Sequence, residues 1–388
     1  MLNFDFYNPT HIVFGQGRLA DLDKLVPPGA TVLVAFGGGS ARKNGLLDQV
    51  HTFLGNRKVL EFGGIEPNPR FETLAMAAEV VRSQQVDFIL AVGGGSVIDG
   101  TKFITLAASY PGDPSDLFRY AYVSVPLEVV PRVVPFGAVL TLPAAGSEMN
   151  NGGVITFQGG KFPIKSDLTY PVFSILDPEL TYTLPPVQVA NGVVDSFIHT
   201  TEQYLTYPVG GLLQDRLCEG ILLTLIEVGE QTIAEPENYA ARANLVWCST
   251  LALNGLIGAG TPGDWATHWL GHELTAAFGI DHGQSLAIIL PPLLEVRRSY
   301  KREKLLQYAG RVWNITSGSD DEKIDLAIQK TRDFFERLGV KTRLSEYGVR
   351  PDQIPMIVEM LKSHGRTALS ETGDLTLDIS REILEKAL

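Results

Sequence analysis

Carboxylate and imidazole side chains lie at helical spacing in two segments of the second half of the chain, which hold four of its seven histidines. Asp195 and His199 are four residues apart, so on a helix they project from one face about one turn apart. His268 lies in a second helix-like stretch, and His282 follows it after a break at Gly279. One carboxylate and three imidazoles suit zinc or ferrous iron. We therefore predict a metal site formed by Asp195, His199, His268 and His282.

A structural role is the alternative for each of these histidines alone, because a lone histidine on an apolar helix is more often a hydrogen-bonded core residue than a ligand. Their clustering favours the metal site. His268 and His272 also form an H-x-x-x-H pair, but Trp269 stands where a zincin carries its catalytic glutamate. We therefore do not expect metalloprotease chemistry.

The length and composition indicate a two-domain globular protein. The chain has 388 residues, of which 45% are hydrophobic and 20% charged, and its net charge of −12 argues against nucleic acid and anionic membranes as partners. We expect no signal peptide, because the N-terminus lacks a basic region and an apolar core, and no run of transmembrane length is present. The two cysteines form neither a C-x-x-C motif nor a disulfide framework, which favours a cytoplasmic location.

The first half, residues 1–185, alternates apolar β-branched runs with helix-like segments. Strands are predicted at 31–36, 58–62, 88–92 and 136–141, with helix-like stretches between the first three. This alternation predicts parallel β-α-β units in a doubly wound, Rossmann-like α/β domain with both sheet faces covered. Residues 110–132 are rich in proline and tyrosine and are predicted to form a long surface connection.

The second half, residues 186–388, is predicted to be an all-helical domain. Apolar residues recur at helical spacing over residues 213–226, 239–256 and 323–338, with little β-branched alternation. No flexible linker separates the halves, so we expect them to pack rigidly around a cleft that contains the active site.

Glycine-rich turns follow two of the predicted strands. The turn Gly93–Ser96 suits a pyrophosphate, because glycine permits close backbone approach and a helix N-terminus directs N–H groups at the anion. Its spacing is not G-x-G-x-x-G, and an ordinary tight turn is the alternative. Two such turns in one α/β half favour a dinucleotide. A third turn, Leu142–Glu148, is expected at the nicotinamide end.

The first turn bears on the type of dinucleotide. An acidic residue near the adenosine ribose selects NAD, whereas Gly37–Lys43 contains no acid and ends with the cations Arg42 and Lys43. This arrangement favours NADP. The alternative is that Arg42 and Lys43 are solvent-exposed cations that bind no nucleotide.

Several motifs together carry a resemblance to a known family. They are Phe36–Ser40, Gly63–Pro69, Gly93–Ser96 with Asp99 and Lys102, Thr141–Pro143 with Gly146–Glu148, and the two segments described first. Over nearly its whole length the chain resembles the iron-containing (group III) alcohol dehydrogenases, and especially their butanol-dehydrogenase-like branch of NADPH-dependent aldehyde reductases.

The resemblance implies an α/β dinucleotide-binding domain followed by a dehydroquinate synthase-like helical domain, and it implies roles for particular residues. The metal ligands would be Asp195, His199, His268 and His282. The dinucleotide would be bound by Gly38, Gly39, Ser40 and Lys43 at the 2′-phosphate, Gly94, Gly95, Ser96 and Asp99 at the pyrophosphate, and Thr141, Leu142, Ser147 and Lys161 nearer the nicotinamide. Ala145 departs from the family pattern, because a threonine usually occupies that position.

The expected reaction is hydride transfer between NADP(H) and an aldehyde or primary alcohol, with the metal as Lewis acid on the carbonyl oxygen. Zinc is favoured over iron because it resists oxidation. His272 is the candidate proton shuttle, and a structural role for it is equally open. Glu202 lies on the same helix face as Asp195 and His199. A solvated carboxylate is the favoured interpretation of Glu202, and orientation of a ligand is the alternative.

Two other functional classes stay open. One is a dehydroquinate-synthase-like lyase that uses NAD within a single turnover, and the other is a non-catalytic metal- or nucleotide-binding protein. In each case we expect a small-molecule ligand and a homodimer, the commonest state of soluble oligomers.

Overall fold

The structure is a computed structural model that describes all 388 residues, and the chain forms two units. One unit is Tyr7–Leu184, and the other comprises Pro185–Leu388 together with Met1–Phe6. The first six residues therefore group with the helical half, in part because the backbone N–H of Leu2 donates to the carbonyl of Gly260 at 2.9 Å.

A six-stranded parallel sheet forms the centre of the first unit. Its strands are β1 (His11–Phe14), β2 (Thr31–Phe36), β3 (Lys58–Phe62), β4 (Phe88–Gly94), β5 (Phe136–Leu142) and β8 (Phe173–Leu176). They pair in the order β1-β8-β5-β4-β2-β3. The helices of this unit are α1 (Leu22–Leu25), α2 (Ser40–Lys43), α3 (Leu46–Leu54), α4 (Phe71–Ser83) and α5 (Gly95–Ser109).

Both faces of the sheet are covered. Val32 and Val34 of β2 pack with α1 and α3 in one apolar core, and Leu33 between them is also fully buried. Successive residues of a strand point to opposite faces, so this burial requires a cover on each side. The sheet confirms the predicted doubly wound, Rossmann-like α/β fold.

A hairpin of β6 (Gly152–Phe157) and β7 (Gly160–Lys165) pairs outside the parallel sheet. The segment 110–132 is not the simple surface connection that its composition predicts. It contains the 3₁₀ helix Pro114–Tyr120, in which Leu117 is fully buried and Phe118 stacks on Phe157 of the hairpin with ring centroids 4.2 Å apart. The aromatic side chains give this irregular backbone an apolar core of its own.

The second unit is helical, as predicted. Its helices are α6 (Pro186–Tyr204), α7 (Leu212–Ala234), α8 (Tyr239–Ala252), α9 (Ala266–Phe278), α10 (His282–Val296), α11 (Arg302–Arg311), α12 (Asp320–Arg337), α13 (Ile354–Ser363) and α14 (Leu377–Lys386). Two-residue strands β9 (Ala368–Leu369) and β10 (Leu375–Thr376) add a short antiparallel ladder.

Helix α6 is buried on nearly every side in this unit and packs against α7, α8 and α10. None of the helices combines the length and apolar composition that crossing a bilayer requires.

Candidate functional site

Helix α6 presents a polar stripe on one of its faces. Asn191, Asp195, His199 and Glu202 follow one another at intervals of four, four and three residues, which places them on a single helical face. Asp195 and His199 are each only 4% exposed. A buried acid beside a buried imidazole requires partners from other elements, because neither group is stable unpaired in the interior.

Those partners come from α9 and α10. Nε2 of His268, in the first turn of α9, and Nε2 of His282, the first residue of α10, each lie 3.7 Å from Oδ1 of Asp195. The ligand atoms of these three residues all lie within 4.8 Å of one another. The structure thus brings together three of the four predicted metal ligands.

The fourth predicted ligand, His199, lies beside this group. Its Nδ1 is 3.3 Å from Oδ1 of Asp195, and its ring centroid is 4.5 Å from that of His268. The ligand atoms that all lie close to one another belong to Asp195, His268 and His282. His199 is not a member of this set.

Buried polar atoms in the cluster have no hydrogen-bond partner, namely Oδ1 of Asp195, Nδ1 of His199 and Nε2 of His268. Buried polar groups in folded proteins are nearly always satisfied, so unpartnered atoms on Asp195 and on the two imidazoles beside it indicate a place for a cation. Imidazole nitrogens and one carboxylate oxygen are a donor set for zinc or ferrous iron. The residues therefore fit a divalent transition metal.

The protonation states of Asp195 and His199 agree with this donor set, whereas the ring of His268 would release a proton on binding a metal. Burial raises the pKa of Asp195, but the neighbouring His199 and the other imidazoles outweigh it and hold that pKa far below its usual range. Burial lowers the pKa of His199, so this ring is neutral near neutral pH. For His268, the carboxylates of Glu202 and Asp195 outweigh burial and raise the pKa.

The expectation that Glu202 is solvated is wrong. Its side chain is buried, one carboxylate oxygen contacts Nδ1 of His268, and the other accepts a hydrogen bond of 2.6 Å from the backbone N–H of Thr267. The first turn of α9 packs over this end of the α6 stripe and removes Glu202 from water.

His272 lies with the cluster, as its spacing predicts. It is 6% exposed, and its ring centroid is 5.3 Å from that of His282 and 6.1 Å from that of His268. Trp265, for which no role is predicted, adopts a left-handed backbone with φ 61° and has its ring centroid 5.6 Å from that of His268. Left-handed backbone is uncommon for a bulky residue, and such conformations concentrate at functional sites.

The predicted pyrophosphate turn lies in the other unit, where β4 leads directly into α5. A Cβ at Gly93 would lie 2.5 Å from the side chain of Val97, and a Cβ at Gly94 would lie 2.9 Å from that of Leu142. Packing therefore requires glycine at both positions. Gly95 and Ser96 form the first turn of α5, a 15-residue helix whose N-terminal N–H groups can bind an anion.

The turn after β5 lies next to the pyrophosphate turn. Thr141 and Leu142 end β5, and a Cβ on Gly95 would lie 3.3 Å from Cβ of Ala145. The alanine that departs from the family pattern thus stands directly beside Gly95.

Asp99 and Ser147, both predicted to contact the dinucleotide, bind each other. Oγ of Ser147 donates to Oδ1 of Asp99 at 2.5 Å, and Oδ2 of Asp99 accepts from the backbone N–H of Val154 at 2.9 Å. Burial raises the pKa of Asp99 and lowers that of its neighbour Lys102. These side chains join α5 to the turn after β5 and to the hairpin of β6 and β7.

Lys161 is linked to the same turn through Asn68. Its ammonium group donates to Oδ1 of Asn68 at 2.8 Å, and the backbone N–H of Asn68 donates to Oγ of Ser96 at 3.3 Å. Asn68 has a left-handed backbone with φ 56°, a conformation that asparagine tolerates better than most residues.

The first glycine-rich turn is open. Nothing lies within 4 Å of a Cβ built on Gly38 or Gly39, and Ser40 and Lys43 bound the short helix that follows. Lys43 is exposed and forms no ion pair. The neighbouring Arg42, in contrast, forms a salt bridge with Glu61 of β3.

Comparisons with known proteins place the chain in a family. The family described as iron-containing alcohol dehydrogenase matches residues 9–178, and its Fe-containing C-terminal counterpart matches residues 189–387. The chain is 57% identical to the NADPH-dependent aldehyde reductase YqhD of Escherichia coli, with both chains covered in full. It is 40% identical to the probable NADH-dependent butanol dehydrogenase 1 of Bacillus subtilis over 94% of this chain and 95% of the relative.

Comparison with solved structures supports the same family assignment. The substrate- and cofactor-free aldehyde reductase YqhD of E. coli matches with a TM-score of 0.93 and 55% identity over all of both chains. The NADH-dependent butanol dehydrogenase A of Thermotoga maritima matches with a TM-score of 0.93 and 33% identity over 100% of this chain and 99% of that chain. The resemblance inferred from the motifs is confirmed, and the chain belongs to the iron-containing alcohol dehydrogenase family.

Proposed function

We propose that this protein is a metal-dependent, NADP(H)-linked alcohol dehydrogenase that works as an aldehyde reductase. The observation that carries the proposal is the convergence of Asp195, His268 and His282, in which buried atoms of Asp195 and His268 have no hydrogen-bond partner, in a chain that is 57% identical to an NADPH-dependent aldehyde reductase.

Asp195, His199, His268 and His282 would hold the metal ion. When bound, the ion would supply Lewis acidity to the carbonyl oxygen of the substrate. Asp195 provides the ionised carboxylate, because its lowered pKa keeps the group charged near neutral pH. Zinc is the favoured ion because it resists oxidation, and iron is the alternative that the family name supports.

Residues of the α/β unit would hold the dinucleotide, whose nicotinamide supplies the hydride. The backbone of Gly94, Gly95 and Ser96 would bind the pyrophosphate at the start of α5. Lys161, held by Asn68, would contact the nucleotide as a cation. Thr141, Leu142 and Ser147 would line its nicotinamide side, and Asp99 would fix Ser147.

The first turn would select NADP over NAD. Gly38 and Gly39 leave the backbone approachable, while the Ser40 hydroxyl and the Lys43 ammonium group would bind the 2′-phosphate. Arg42 would contribute less to binding of the 2′-phosphate than its sequence position predicts, because it already forms a salt bridge with Glu61.

His272 would supply the proton that completes the product alcohol. Its ring lies beside those of His268 and His282, so it would deliver a proton to the oxygen of the product alcohol and recover it from solvent. A homodimer and a cytoplasmic location remain predictions.

The proposal is tested by NADPH consumption with aldehydes of increasing chain length, coupled to elemental analysis of the purified protein. We expect turnover to disappear when a chelator strips the metal and to return when zinc or ferrous iron is added back. Elemental analysis of the protein as purified identifies the bound ion. Metal-independent turnover would contradict the metal role. Bound metal without net NADPH consumption would favour the lyase or the non-catalytic alternative.

A further inference from the structure

Glu202 is a buried carboxylate at the end of the α6 stripe. It is only 3% exposed and is not one of the proposed metal ligands. We propose that Glu202 is a positioning residue for the metal centre, which orients the imidazole of His268 so that its Nε2 faces Asp195. This inference rests on the metal site of the proposed function.

One carboxylate oxygen of Glu202 fixes the ring of His268. It contacts Nδ1, while Nε2 on the opposite side of the ring lies 3.7 Å from Oδ1 of Asp195 and has no hydrogen-bond partner. The two nitrogens therefore face different carboxylates, one at each end of the ring. A metal-ligating histidine usually has its other nitrogen bonded to a carboxylate or carbonyl in this way.

The other carboxylate oxygen fixes the start of helix α9. It accepts hydrogen bonds from the backbone N–H groups of Thr267 at 2.6 Å and of His268 at 3.4 Å. The N-cap residue of α9, Trp265, provides no side-chain cap, so Glu202 satisfies donors that a helix start leaves free. Its own carbonyl also accepts from the N–H of Asp264 at 2.9 Å.

The chemistry of a carboxylate decides which nitrogen is left to bind a metal. An ionised carboxylate only accepts hydrogen bonds, so Nδ1 of His268 must carry a proton to pair with it. In the neutral ring Nε2 then keeps its lone pair and can act as a ligand. Glu202 thus selects both the orientation and the tautomer of His268.

Replacing Glu202 by glutamine separates these two tasks. The amide oxygen can still accept from the backbone of α9, but the amide NH₂ then faces Nδ1 and favours a proton on Nε2, where the metal should bind. If the amide turns round, its NH₂ meets the backbone N–H groups instead, and the cap is lost. Either orientation leaves one of the two interactions unmade.

The test is the zinc affinity of the full-length protein, measured by chelator competition, alongside the thermal unfolding midpoint of the metal-free form. We expect Glu202→Gln to lower zinc affinity by about 10- to 100-fold, the usual cost of losing such a partner. Its metal-free unfolding midpoint should fall less than that of Glu202→Ala, which loses the cap as well.

Glu219→Gln is the matched control. Glu219 is a buried carboxylate of the same unit that pairs with Arg216 and Arg311 and accepts from Tyr204. This variant should keep the zinc affinity of the wild type. Unchanged zinc affinity in Glu202→Gln, or an equal loss in Glu219→Gln, would overturn the positioning role. A wild-type protein that takes up no metal would overturn the proposed function and, with it, this role.

Discussion

The ammonium group of Lys102 donates a hydrogen bond of 2.9 Å to Oγ of Ser147, although 45 residues separate them in sequence. The same group donates to Oδ1 of Asn150 and to the carbonyl of Gly152, both at 2.7 Å. Lys102 is 1% exposed, so water cannot replace these bonds. One lysine therefore holds the turn after β5 against the helix that begins at the pyrophosphate turn.

Lys102→Met should weaken both the fold and dinucleotide binding. Removing one partner of a buried, hydrogen-bonded charge costs about 3–5 kcal/mol, and we expect a fall of several degrees in the thermal unfolding midpoint. The dissociation constant for NADPH, measured by nucleotide fluorescence, should rise because the two turns lose their connection. Lys304→Met removes a buried lysine of the helical unit, paired with Asp215, and should leave NADPH affinity unchanged.

His268→Ala should abolish metal binding and turnover together while the protein still folds. It removes a ligand and leaves Glu202 without its ring partner, a change that costs about 1–3 kcal/mol. Elemental analysis and NADPH consumption are the measurements, and circular dichroism checks the fold. Full activity in this variant would mean that the ligand assignment is wrong.

Lys43→Ala should lower the preference for NADPH over NADH more than Arg42→Ala does. Lys43 is free to bind a 2′-phosphate, whereas Glu61 pairs with Arg42. Loss of one charge-assisted hydrogen bond of about 1.5–3 kcal/mol corresponds to roughly a tenfold or greater change in the ratio of kcat/KM values. A larger effect of Arg42→Ala would show that the salt bridge opens when NADPH binds.

Glu61→Gln provides the complementary test for this pair. It removes the partner of Arg42 and should raise the preference for NADPH. No change in that preference would show that Arg42 stays away from the nucleotide even when unpaired.

The cysteine thiols should be unreactive in the folded protein and dispensable. Cys218 and Cys248 are both buried, and burial raises the pKa of Cys248 to about 12 and that of Cys218 further still. Almost no thiolate exists at pH 8, so a thiol reagent should label neither residue until the protein is unfolded. Cys218→Ala and Cys248→Ala should retain turnover, and fast labelling of the native protein would contradict the burial.

Local spacing was sufficient to predict the shared helix face of Asp195 and His199 and the position of the glycine-rich turns. Asp195 and His199 share one helix face whatever the rest of the fold does, and Gly93 and Gly94 end a strand of strongly apolar residues. These features depend on helix and strand periodicity, which the sequence displays directly.

Long-range partners could not be predicted in the same way. Glu202 belongs to the stripe that contains Asp195 and His199, but its burial depends on α9, which begins more than sixty residues later. Glu61 reaches Arg42 only because β2 and β3 are neighbours in the sheet. Asp99 likewise finds Ser147 through the packing of α5 beside β5, and no short-range pattern predicts that contact.

The α6 stripe also has a consequence for how this unit folds. Glu202 and His268 are 66 residues apart, so an ion shared by α6 and α9 would act as a cross-link that closes a long loop. An ion that binds only the folded chain at a free concentration 1,000 times its dissociation constant adds about 4 kcal/mol of stability. Metal supply would then set the lifetime of the protein as well as its activity, and chains that fail to acquire the ion would be the first to unfold.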